Sequence, residues 1–143
     1  MTLSMPEQVR AAVLAMPMAQ TLKLSFRRIE PGEVELEIPL QEAWCFKPGQ
    51  LQATAVFAAA DFAAVAAAGT LLPVGFINAT VDASLKLVAP ARGSHLVARG
   101  RVVSASRLLT VCAADVYVVH EGRETLCATL LGTARNIEMA VAA

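Results

Sequence analysis

Hydrophobic and polar residues follow more than one rhythm along this 143-residue chain. Over residues 33–40, "EVELEIPL", they alternate strictly. Val34, Leu36, Ile38 and Leu40 fall on one face and Glu33, Glu35 and Glu37 on the other. A period of two predicts a strand with one dry and one wet side. The preceding run, "TLKLSFRRIE", is also strand-like, and Pro31-Gly32 between the two predicts a hairpin turn. Later, "GFINATVDASLKLV" predicts a strand with Ile77, Ala79, Val81, Ala83, Leu85 and Leu87 on one face. Asn78, Thr80, Asp82, Ser84 and Lys86 take the other. Three further strands follow in "SHLVARGRVVSAS", "LLTVCAADVYVV" and "ETLCATLLGTARNI", set apart by PARG, SR and HEGR.

Two stretches break this pattern. Residues 5–16, "MPEQVRAAVLAM", predict a short amphipathic helix ended by Pro17. Residues 52–69, "QATAVFAAADFAAVAAAG", are apolar on every side except at Asp61, with Gly69 as the expected C-cap. A helix without a polar face is a buried one. The run over 51–72 is long enough to suggest a membrane span, but weakly hydrophobic Ala dominates it and a carboxylate sits mid-way, so a buried helix of a soluble domain is expected. Between hairpin and helix, "QEAWCFKPGQ" predicts a loop. Its Trp44 and Phe46 read as core or interface residues, with a hydrophobic lid as the alternative.

The order helix, two strands, long helix, four strands predicts an α+β fold: one domain over residues 1–143, with a curled antiparallel sheet around the Ala-rich helix. Alanine fits that role because small side chains let strands approach the helix backbone.

Composition sharpens this expectation. Hydrophobic residues make up 56% and charged ones only 17%, so part of the surface is expected to be covered in an oligomer. Twelve basic side chains cancel twelve acidic ones, which leaves no electrostatic footprint for nucleic acid or an anionic membrane. Cys45, Cys112 and Cys127 form no CxxC pair, and no basic-then-apolar segment opens the chain. Both features predict a cytoplasmic protein with structural thiols. With only His95 and His120, both at strand ends, no metal site is expected.

Asp61 is the residue that asks for a reason. An ionised carboxylate in apolar surroundings is costly unless it is paired, hydrogen-bonded or reaches water. It either bonds to a neighbouring strand or partner chain, or it does chemistry.

Over residues 20–137 the element order, the acidic residue two turns into the central helix, the strand ending "LVAPARG", the hairpin "VVSASRLLTVCAADVYVV" and the closing "LCATLLGTAR" resemble the hotdog fold. Within it they resemble the PaaI-type acyl-CoA thioesterases of the 4-hydroxybenzoyl-CoA thioesterase-like superfamily. In that family His-Gly-Gly stands nine positions before the acidic residue; here the place is taken by Gln52-Ala53-Thr54. Gln52 can hydrogen-bond but cannot titrate near neutrality.

The resemblance implies Asp61 as general base or nucleophile, acting across a dimer interface with a raised pKa. It implies the Thr54 amide, at the helix start, as oxyanion donor, and Gln52 as the group that orients the carbonyl or a water. Asn78 and Thr80 would line an acyl tunnel or else pack structurally. Arg92 and Arg107, at places where the family often meets coenzyme A, would contact its phosphates or else be ordinary surface residues of turns. The substrate would be an acyl-CoA thioester of a hydrophobic or aryl acid, with coenzyme A as part of the substrate and no separate cofactor, in a homodimer or dimer of dimers. The changed helix start keeps a second function open, a hotdog module that binds acyl-CoA without turnover. A third, an enoyl-thioester hydratase, pairs a His with the acid, and the central helix and its preceding loop contain none.

Overall fold

The computed structural model describes residues 2–140. Helix α1 (Met5–Leu14) opens on a capping box, in which the Ser4 hydroxyl accepts from the Glu7 amide and the Glu7 carboxylate accepts from the Ser4 amide at 3.1 Å. Pro17 does more than end this helix. It starts a second one, α2 (Pro17–Thr21), at the first helical position, where its missing N–H is not needed. The predicted hairpin follows as β1 (Ser25–Glu30) and β2 (Glu33–Pro39), and Gly32 takes φ +80° in its turn. Thr21 to Leu24, expected at the head of the first strand, belong to α2 and its exit.

The expected loop before the central helix is more ordered than its composition suggested. It holds a 3-10 turn (Glu42–Trp44) and a minimal hairpin of β3 (Cys45–Lys47) and β4 (Gln50–Leu51). Helix α3 (Ala53–Gly69) comes next, then β5 (Phe76–Leu87), β6 (His95–Ala105), β7 (Leu109–His120) and β8 (Arg123–Glu138). The six long strands form one antiparallel sheet in the order β1-β2-β6-β7-β8-β5, so β1 and β5 are its edges.

The sheet curls around α3. Ala59, Ala60, Ala63, Ala64, Ala67 and Ala68 are fully buried, and Val34, Leu36 and Ile38 of β2 close the core as their alternation predicted. Where β6 crosses the helix the two backbones meet: a Cβ on Gly100 would overlap the Ala63 carbonyl oxygen and lie 2.9 Å from the Ala64 nitrogen. Among the described residues no helix is long and apolar enough to cross a membrane.

Two expectations need correction. Gly69 is not a left-handed C-cap but the last helical residue; Thr70 caps the helix, donating its hydroxyl to the Ala67 carbonyl at 2.6 Å. Gly69 is small for another reason, since a Cβ there would sit 3.2 Å from the Val9 side chain of α1 and 3.6 Å from Asn78 of β5. Nor does β5 keep one apolar face. Thr80 and Asp82 oppose the consecutive residues Ala134 and Thr133 of β8, so Val81 is an extra residue, a β-bulge at which the strand's faces exchange. Before the bulge Asn78 and Thr80 turn toward α3, while Ile77 is 49% exposed. After it Ala83 and Leu85 pack onto the core.

The Gly100 contact is testable. Gly100→Ala should lower the unfolding free energy by about 2–3 kcal/mol, because overpacking here meets backbone rather than a movable side chain. Chemical denaturation showing no loss would mean that helix and sheet are not in contact at this point.

Candidate active site

Gln52 is the N-cap residue of α3, with extended backbone at φ −73° and ψ 149°. Its side-chain oxygen accepts from the Thr54 amide at 2.8 Å and from the Thr54 hydroxyl. The Thr54 amide, the expected oxyanion donor, is thus engaged by Gln52 in this structure. The Ala53 amide, one residue earlier, has no acceptor among the described residues. Residues 52–54 are all exposed. A cleft of about 550 Å³ opens beside them, between Phe46, Gln52, Val56 and the Val88–Ala91 segment. Arg92 flanks this end, exposed, donating to the Gln50 side-chain oxygen at 3.2 Å.

Asp61 stands nine residues further along α3, about 13 Å away at 1.5 Å per residue. One chain's carboxylate is therefore out of reach of its own helix start. The side chain is half-buried and accepts a hydrogen bond from the Thr80 hydroxyl at 2.9 Å. Burial raises its pKa above the ordinary 3.8, and the Thr80 bond, which favours the ionised form, opposes that rise only in part. One helical turn on, the Asn78 amide donates to the Val65 carbonyl at 3.0 Å. The two polar side chains that the bulge turns inward thus both land on the exposed stripe of α3.

Beside Asp61 lies a cavity of about 480 Å³, whose walls include Phe62, Val65, Asn78 and Thr80. Asn78 and Thr80 both line it. Its other wall is α1, which sequence reasoning left out. The signal was there in the spacing of Met5, Val9, Ala12 and Val13, but periodicity marks an inward face without saying whether the space beneath it is filled.

The remaining candidates sit elsewhere. Arg107 is exposed on the β6–β7 turn, close to Leu71 and Pro73 beyond the C-terminal end of α3. A 17-residue helix separates it from Arg92, so one chain does not bring the two together. His95 pairs with Glu37 at 3.3 Å and His120 is exposed. Burial pushes the Cys112 thiol up to about 11, helped by the charge of Asp61, and the Cys127 thiol likewise to about 11 by burial. Both thiols stay protonated near neutrality and are poor nucleophiles. Arg99 is held between Glu35 at 2.6 Å and Glu124 at 2.7 Å, stacked over Tyr117. Among the described residues no cluster of His, Cys, Asp and Glu is placed to hold a metal ion.

No family model matches the chain, and no curated protein matches it in sequence. Solved structures do. The chain is similar to a thioesterase family protein from Silicibacter pomeroyi, with TM-score 0.90 and 30% identity over 92% of this chain and 97% of that one. A thioesterase from Haemophilus influenzae shares the fold at 18% identity, TM-score 0.83, over 99% of this chain and 95% of that one. So does the PaaI protein of the phenylacetic acid degradation operon of E. coli, at 14% identity, TM-score 0.80, over 97% of this chain and 100% of that one.

The environment of Asp61 has a measurable consequence. A folded-state pKa above the unfolded value means that the unfolded chain gives up this proton first. Stability from this group is intact below about pH 3.8 and is lost as pH rises through the folded-state pKa. Asp61→Asn should therefore raise the melting temperature at pH 7 and leave it unchanged at pH 3. A variant that melts earlier than the parent at pH 7 would show that the fold favours the ionised carboxylate.

Proposed function

The chain belongs to the thioesterase family and has its hotdog fold, and from that membership we propose that it hydrolyses acyl-CoA thioesters of hydrophobic or aryl acids. The observation that carries this reading is Asp61, a half-buried carboxylate held by Thr80 on the wall of a largely apolar cavity. In the proposed reaction Asp61 takes a proton from water as the water oxygen adds to the thioester carbonyl. The tetrahedral intermediate then collapses, the C–S bond breaks, and the leaving sulfur takes the proton back from Asp61. Direct attack by the carboxylate is the alternative order of events. The developing oxyanion would be met by the amides of a helix start, Ala53 and, once Gln52 turns its side chain to the substrate, Thr54.

That helix start would come from a second copy. Three features support a dimer joined at β5. The strand is a sheet edge with one unpaired side, its outward Ile77 and Val81 are about half exposed, and Asp61 is tied to it through Thr80 while its own helix start is out of reach. Assembly would also let Arg92 and Arg107, far apart in one chain, meet the same coenzyme A from different chains. A dimer of dimers would cover more of the apolar surface. Coenzyme A enters as part of the substrate, with no separate cofactor, and a cytoplasmic location suits the free thiols.

A second reading rests on one specific observation. With His-Gly-Gly absent and the Thr54 amide occupied by Gln52, the chain fits a protein that binds acyl-CoA without cleaving it.

Free-thiol release from acetyl-, octanoyl-, palmitoyl- and phenylacetyl-CoA decides between them. Turnover is expected on the hydrophobic thioesters, with a loss of about 100-fold or more in Asp61→Asn, the scale of a missing general base. Undiminished activity in that variant would remove Asp61 from the mechanism. Silence across the panel with acyl-CoA still binding would establish the binding module. Sedimentation should show a dimer at micromolar concentration; a stable monomer would sink the shared site.

A further inference from the structure

Helix α1 is built like a helix that packs, yet it roofs a hollow. Met5, Val9, Ala12, Val13 and Met16 recur at the spacing of one helical face, and all five border the cavity beside Asp61. Such a face ordinarily closes onto the core. Here Val13 is the one residue of α1 that is buried, and Met16, just past its end, is 44% exposed.

The hollow has a direction. At one end Val9 presses on Gly69 of α3, where even a methyl group would be tight, and Leu72 and Phe76 complete that end. Asp61 stands eight residues earlier on the same helix, about 12 Å away along its axis. Between them the α3 wall is Phe62, Val65 and Ala66. Asn78, the polar side chain at mid-depth, already donates to the Val65 carbonyl. The result is a channel with a carboxylate at one end, largely apolar walls and the Val9–Gly69 contact at the other. Its volume of about 480 Å³ is that of a small-molecule site.

We propose that α1 measures the acyl group: the acyl part of the substrate lies in the channel between α1 and α3, and Ala12 and Met16 set how large a group is accepted. This rests on the thioesterase reading and adds to it the residues that select substrates and a substrate class, unbranched medium-chain or arylalkyl acids. A long acyl chain would meet the Val9–Gly69 contact; an acetyl group would reach none of the α1 wall. Methionines at positions 5 and 16 suit a wall that must fit chains of differing shape, because an unbranched thioether side chain repacks at little cost.

Ala12 is exposed on α1, so a larger side chain there can enter the channel without displacing core atoms. Ala12→Trp should lower kcat/KM for decanoyl-CoA by about tenfold or more, the scale on which a hydrophobic pocket discriminates chain length. Any loss on acetyl-CoA should be much smaller, and a thermal melt like the parent's reports that the variant is folded. Met16→Ala should widen the channel, raising kcat/KM for the bulkier phenylacetyl-CoA relative to decanoyl-CoA. Equal losses on decanoyl- and acetyl-CoA, or no loss on either, would overturn the proposal. Binding of S-decyl-coenzyme A, the unreactive thioether, separates this failure from that of the thioesterase reading. If the parent protein cleaves nothing but its affinity for the thioether falls in Ala12→Trp, the channel stands and catalysis does not. If parent and variant bind the thioether equally, the channel is not the acyl site.

Discussion

The contact between the backbone of α3 and the sheet is what everything else in this molecule leans on. Gly100 lies against the carbonyl of Ala63 with no room for a side chain, and the alanines around it are fully buried. At that separation, larger residues on the helix would lift the strands away and open voids, which close-packed interiors do not tolerate. The alanine content of α3 is thus a distance requirement. It also fixes where anything else can be. A sheet that curls around a helix covers most of its circumference and leaves one strip, and on that strip Asp61, Phe62 and Val65 are half-buried while their neighbours are wholly buried. A carboxylate is tolerated in this helix only there.

The strip would be an unsuitable place for Asp61 without the bulge in β5. Strand parity alone would send either Asn78 and Thr80 or Ala83 and Leu85 to the helix, never all four. By inserting Val81, the strand presents polar groups where α3 offers Asp61 and the Val65 carbonyl, then apolar groups where it offers core. The same exchange leaves Ile77 and Val81 facing outward on an edge strand. An arrangement that gives the carboxylate its hydrogen bond therefore also creates an apolar sheet edge beside it. Site and edge have one structural origin.

This explains which parts of the molecule were legible in its residues. The β2 alternation, the rhythmless α3 and the succession of four strands each depend on burial averaged over many positions, and they led to the correct sheet-around-helix architecture. What escaped notice depends on single residues. The bulge is one inserted residue, and a period-two pattern reads straight through it. Gly69 reads in the sequence as a conformational glycine but is a steric one, a distinction that needs the neighbouring Val9 and Asn78. Pro17 reads as a stop, although the same fixed φ makes it a start. The role of α1 was missed because its apolar face looks the same whether it meets atoms or a cavity. Likewise, Asp61 was legible as an anomaly, but its Thr80 partner was not, since the two are joined only through the fold.

The helix start poses the sharpest chemical question, and magnitudes bear on it. Gln52 caps α3 through its side-chain oxygen, and in doing so it occupies an amide that thioester chemistry would want. An N-cap hydrogen bond stabilises a helix by about 1 kcal/mol. A backbone amide aimed at a developing oxyanion contributes about 3 kcal/mol to the transition state. In the proposed reaction, releasing the cap would therefore be favourable, and the released Gln52 side-chain amide would gain a substrate carbonyl or water to bond in exchange. With Gln52 at its N-cap, the helix start carries no group that titrates near neutrality. On the proposed reading, proton transfer at this site would fall to Asp61 alone, and its raised pKa would bring it nearer to the pH at which a base can both hold and return a proton. On that reading, the burial that makes Asp61 costly to the fold would also equip it for that task.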